Sequence, residues 1–121
     1  MVKSIRDPEI SQSLTPTMFY ILLALGDVER HGYGIMQELE MRTEGRVKLG
    51  PGTLYGSIKR LVADGLIVES AERSVPDTAE RRRYYQLTSR GRRVAMTEAE
   101  LLARIVDLAR EKKLLADVER P

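Results

Sequence analysis

Apolar positions along the 121-residue chain fall into four stretches of helical spacing and one of strand character. Thr15-Pro16 marks a helix start, because threonine can cap and proline suits the first turn. Met18, Phe19, Leu22, Leu23 and Leu25 follow, and Gly26 closes the block. This predicts a largely buried helix over 16–26. A second helix is predicted from Gly32 to about Thr43. Ile35, Met36 and Leu39 share one face, and Gln37, Glu38, Glu40 and Arg42 lie away from it. A third opens at Gly50-Pro51 and stops at Gly65. Its Leu54, Ile58 and Leu61 are spaced i, i+4, i+7 and so face a core. Leu66-Ile67-Val68 opens a strand, residues 74–78 read as a turn, and Arg81 to Leu87 pairs back to make a hairpin. Thr88 then caps a helix from Ser89 to about Glu119, about 45 Å long at 1.5 Å per residue.

The third helix carries the first functional signal. Its outer face offers Gly52, Thr53, Gly56 and Lys59, bordered by Tyr55 and Arg60, with Ser57 nearby. No large apolar group there needs burial, and two glycines permit close approach. The major groove of DNA admits one helix with short polar or cationic groups in front. Hydroxyls bond phosphates, Lys59 reaches a phosphate or a guanine edge, and the helix N-terminus attracts phosphate. An ordinary solvated amphipathic face is the competing reading of the helix alone.

The hairpin strengthens the nucleic-acid reading. Arg81, Arg82 and Arg83 stand in a row on its second strand, where successive side chains alternate between faces. At least one is then free for a minor groove or a backbone phosphate. The bland alternative is a charged edge that blocks strand pairing. Of Tyr84 and Tyr85, one ring is expected against the core and the other outward. Tyr33, at the start of the second helix, is a further candidate for a phosphate contact. The mainly α pattern with a small β-hairpin is that of a winged helix-turn-helix followed by a long C-terminal helix.

That last helix has a stripe of its own. Val94, Leu101, Leu108 and Leu115 recur every seven residues, and Leu102 and Ile105 widen the band. The spacing predicts pairing with a second helix. Glu98 is assigned to the wet face with Glu100, Arg104 and Asp107. The chain thus divides into an arm at 1–14, a DNA-binding winged helix at 15–88 and a dimerisation helix at 89–121.

Composition removes other classes. There is no cysteine and one histidine, His31, so disulfides, thiolate metal sites and histidine-rich zinc sites are excluded. No nucleophile elbow or P-loop occurs, and neither an enzyme nor a cofactor is expected. The apolar run from Phe19 to Leu25 is far short of the ~20 residues of a membrane helix. The N-terminus lacks a signal-type apolar stretch, and a cytoplasmic location is expected. The net charge is +2, but residues 51–95 carry +4 while the flanks carry −1 each. The positive charge therefore sits on the helix and hairpin that would meet DNA.

His31-Gly32-Tyr33-Gly34-Ile35, Gly52-Thr53-Leu54-Tyr55, Leu61 with Asp64-Gly65-Leu66-Ile67, and Arg83-Tyr84-Tyr85 with Leu87-Thr88 and Gly91 occur in this order. Together they resemble the PadR family of transcriptional regulators, over about Leu14 to Arg93. A single C-terminal helix resembles the short subfamily. The resemblance implies a winged-helix homodimer, usually a repressor, joined through the C-terminal helix. Some relatives release DNA on binding a small, often aromatic, effector. It implies Thr53, Tyr55 and Lys59 in or beside the major groove and Arg81 to Arg83 on the wing. The alternative is a winged-helix protein-interaction module that binds no DNA, since fold alone does not fix function.

Overall fold

A computed structural model describes residues 14–74 and 81–116. The elements run α1 (Pro16–Ala24), β1 (Arg30–His31), α2 (Gly32–Arg42), α3 (Pro51–Ala63), β2 (Ile67–Ser74), β3 (Arg81–Leu87) and α4 (Ser89–Glu111). Residues 1–13 of the expected N-terminal arm, most of the 74–78 turn and the last residues of the expected C-terminal helix lie outside the described residues.

Helix α1 starts where Thr15 Oγ1 accepts from the Met18 N–H at 3.1 Å, with Pro16 in the first turn. It ends at Ala24, two residues before the sequence expectation, because Leu25 leaves helical geometry and caps it. Met18, Ile21 and Leu22 are essentially fully buried and form the centre of the core with Ile35, Leu54, Leu61, Leu66 and Ile67.

The sheet has three strands in the order β1-β3-β2, all antiparallel. Strand β1 was not legible in the sequence, since two residues are too few for a period-2 pattern. Arg30 pairs with Tyr85, and His31 with Tyr84. Between β2 and β3 the register runs from Ile67↔Leu87 to Ser74↔Arg81, with a bulge between Glu69 and Ala71. At the bulge, the Ser70 hydroxyl donates to Glu29 Oε2 at 2.6 Å, fastening the base of the hairpin to the chain just before β1.

His31 caps α2. Its Nδ1 accepts from the Gly34 N–H at 2.9 Å, which places the ring proton of the neutral imidazole on Nε2. Arg30 braces the same corner, donating from Nε to the Ala24 carbonyl at 2.7 Å and pairing with Glu38 at 3.4 Å. The C-terminus of α3 is a double-bonded glycine cap. Gly65, at φ +75°, donates to the Val62 carbonyl, and Leu66 donates to the Leu61 carbonyl. Only a left-handed residue can make that reversal cheaply.

Helix α4 corrects the sequence expectation in three respects. It stops at Glu111, with Lys113 at φ 63°, so it spans about 34 Å rather than 45 Å. Leu115 therefore lies beyond the helix. Val94 packs against the chain's own core, because the first turns of α4 lie against α1. Glu98, one turn further along the same face, is buried at 9% exposure rather than solvated.

Candidate nucleic-acid interface

Helix α3 presents its outer face to solvent because its inner face is anchored. Leu54, Ile58 and Leu61 are at most 3% exposed. On the other side, Gly52, Thr53, Gly56, Lys59 and Arg60 are exposed and Ser57 is half-buried. Among the described residues neither Lys59 nor Arg60 engages a hydrogen bond or ion pair through its side chain. A Cβ added to Gly50, Gly52 or Gly56 would meet no atom within 4 Å. Packing within the chain therefore does not require these glycines, although each interior glycine costs about 1 kcal/mol of helix stability.

The N-terminus of α3 is open. Gly50 is the N-cap and supplies no side-chain acceptor, so the first N–H groups are available to an anion. Tyr55 borders this end, half-exposed, with its ring laid across Gly32. A Cβ on Gly32 would stand 2.6 Å from the Tyr55 hydroxyl. Gly32 thus lets α3 and α2 meet.

The wing stands beside this face. Tyr85 turns into the core at 8% exposure, and burial pushes its phenol above the ordinary value, helped by the nearby Glu69 carboxylate. Tyr84 is half-buried, its ring edge-on to His31 at 5.2 Å. Arg83 is exposed and pairs loosely with Glu69 at 3.8 Å. Arg82 is half-buried, with its guanidinium carbon 5.0 Å from the centre of the Tyr33 ring. Arg81 lies at the outer end of β3, opposite Ser74. A cleft of about 510 Å³ separates wing from helices, lined by Gly32, Tyr33, Met36, Pro51, Tyr55, Arg82, Arg83 and Tyr85.

Most of the residues singled out in the sequence thus fall on one side of the molecule. Tyr33, Tyr55, Arg82 and Arg83 share the cleft, and α3 carries the remainder except Arg81. The Tyr33–Arg82 contact joins residues 49 positions apart, and sequence reasoning missed it. The strand spacing of the arginines gave no hint of which would turn inward. The other group lies apart, along α4. Leu101 is half-buried, while Leu102, Ile105, Val106 and Leu108 are 36%, 51%, 38% and 49% exposed. No group of three or more potential metal ligands occurs among the described residues.

A helix held by its back, with an open N-terminus and a cationic hairpin at its side, defines a winged-helix DNA-binding regulator. The chain belongs to the PadR family: the Transcriptional regulator PadR-like family matches residues 21–97. It is 41% identical over 92 residues to Transcriptional regulator Rv3488 of Mycobacterium tuberculosis, covering 76% of this chain and 78% of that protein. It is 38% identical over 85 residues to an uncharacterised 37.1 kDa protein in transposon TN4556 of Streptomyces fradiae. That match covers 70% of this chain but spans only 22% of the relative's length. Among solved structures, a PadR family transcription regulator from Clostridium difficile superposes with a TM-score of 0.67 at 23% identity, covering 80% of this chain and 97% of that one. RosR of H. salinarum superposes with a TM-score of 0.60 at 27% identity, covering 89% and 84%. The protein is a transcriptional regulator of a DNA-binding, non-enzymatic family. Among the described residues no helix is long and apolar enough to cross a membrane.

Proposed function

We propose that the protein is a homodimeric repressor that reads a palindromic operator in the cytoplasm. The observation that carries this reading is the bare apolar band on α4, where Leu102, Ile105 and Leu108 stand 36–51% exposed beside the reading unit. A second copy of α4, packed against the band, removes this surface from water and joins two reading units. Two copies of α3, set about 34 Å apart, then enter successive major grooves on one side of the duplex. Residues 15–88 serve as the reading unit and α4 as the joint.

Within each unit, Gly52, Thr53, Tyr55, Ser57, Lys59 and Arg60 face the major groove, and the wing of Arg81, Arg82 and Arg83 lies toward the neighbouring minor groove. A dimer seated over a promoter excludes polymerase from the same DNA, which is repression by occupancy. A small effector, aromatic as in some relatives, would release the operator by favouring a dimer whose two helices no longer match the groove spacing. Its leverage equals its differential affinity for the two arrangements.

The test is a gel-shift titration against the DNA upstream of the protein's own gene, with random DNA as competitor and oligomeric state measured in parallel. Specific binding by a dimer, with protection of two half-sites, is the expected result. Affinity equal to that for random DNA, or a monomer at working concentration, would remove the proposal.

A further inference from the structure

The outer wing extends past the third strand of the sheet. Strand β1 pairs with β3 at Tyr84 and Tyr85, whereas β2 and β3 continue pairing outward through Glu72↔Arg83, Arg73↔Arg82 and Ser74↔Arg81. The overhang is therefore a two-stranded ribbon, and such ribbons are marginal in water without further support. The Arg82 guanidinium lies over the Tyr33 ring, 5.0 Å from its centre. Tyr33 is the second residue of α2, whose first turn is pinned by the His31 cap and by Tyr55 laid across Gly32. The ring is thus mounted on a braced turn of the domain, and the guanidinium lies over it.

We infer that Arg82 is a positioning residue: its contact with the Tyr33 face sets the angle of the wing relative to the recognition helix. The inference rests on the DNA-reading role proposed above and refines it. Arg82 lends its cation to a π-face and acts on DNA through the placement of the outer wing. Tyr33 contributes its ring and not its hydroxyl. The attraction suits arginine, whose planar, weakly hydrated group stacks on rings better than an ammonium does.

The experiment compares Tyr33→Phe, Tyr33→Leu, Arg82→Ala and the Tyr33→Leu/Arg82→Ala pair. Tyr33 is half-exposed, so these changes spare the core. Operator affinity is measured across a salt series. Phe keeps the ring, and its affinity matches the original protein. Leu and Arg82→Ala each weaken binding about two- to fivefold per half-site, the range of an exposed cation–π contact, and the pair is no weaker than either alone. Additive losses overturn the inference, as does Phe weakening binding as much as Leu. A salt slope that becomes shallower by about 0.9 per half-site in Arg82→Ala alone also overturns it, because Arg82 then touches phosphate itself.

Hydrogen exchange on the DNA-free protein provides a second, independent arm. Amides of residues 72–74 and 81–83 exchange faster in Tyr33→Leu and unchanged in Tyr33→Phe if the ring holds the wing. Equal exchange in all variants rules the inference out. A protein that binds no DNA would sink the functional reading, and the exchange arm would still decide the wing contact.

Discussion

The Leu66 carbonyl oxygen occupies the space where a Cβ on residue 91 would stand, and residue 91 is glycine. The same carbonyl accepts from the Thr88 N–H, and the Thr88 hydroxyl donates to the Gly65 carbonyl at 2.6 Å. The end of α3 and the start of α4 are thereby fused at one point. The orientation of α3 is tied to the helix proposed to join two copies.

Gly91→Ala should therefore be costly. The obstructing atom is backbone, so the junction must open to admit the methyl. A loss of about 1–3 kcal/mol is expected, typical of overpacking. Urea denaturation would read it as a lower midpoint at unchanged slope, and an unshifted midpoint would show that the junction relaxes freely.

Gly56→Ala should behave in the opposite way. No chain atom lies within 4 Å of the added methyl, and alanine favours a helix interior by up to about 1 kcal/mol over glycine. Stability should rise while operator affinity falls, because the methyl stands between helix and groove. Thermal melting and gel shift on the same sample separate the two effects. Undiminished affinity would place this face of α3 away from DNA.

Lys59→Ala should leave stability within about 0.5 kcal/mol, as for an exposed residue without partners. If Lys59 meets a phosphate, the slope of log affinity against log salt becomes shallower by about 0.9 per half-site. A preserved slope with weakened affinity for one base alone would mark a guanine contact instead.

Leu108→Glu should yield monomers. Leu108 is 49% exposed on a single chain, so the substitution places a charge in the proposed joint without emptying the core. Light scattering and melting distinguish the cases: a folded monomer is expected, and a surviving dimer would refute the joint. Val94→Ala, by contrast, should lower stability first, since Val94 packs against its own domain.

Alkaline pH should destabilise the fold through Tyr85. Burial raises its phenol above the ordinary value near 10, so the neutral form is favoured in the native state. That contribution is complete below the unfolded value and is lost as pH climbs through the folded one. Urea midpoints measured from pH 9 to 11 should fall, and Tyr85→Phe should reduce the fall. An identical fall in the variant would assign it to other groups.

The helices were legible because their reasons are local. Thr15-Pro16, Gly50-Pro51, Gly65 and Thr88 each mark an end through capping chemistry that two to four neighbouring residues complete. The apolar spacing of Leu54, Ile58 and Leu61 singled out the inner face of α3, and hence its outer one. The chain's own sequence therefore determined the helix starts, the exposed face of α3 and the family. Tertiary structure decided the rest, because it depends on which distant residues meet. Strand β1 exists only as a partner for Tyr84 and Tyr85. Glu98 is buried because α4 packs on α1, and Val94 was taken from the exposed band by the same packing. Arg82 became distinct from its neighbour Arg83 only when the ribbon brought it to the Tyr33 ring. Two adjacent arginines look alike along the chain, and the platform beneath Arg82 makes the difference.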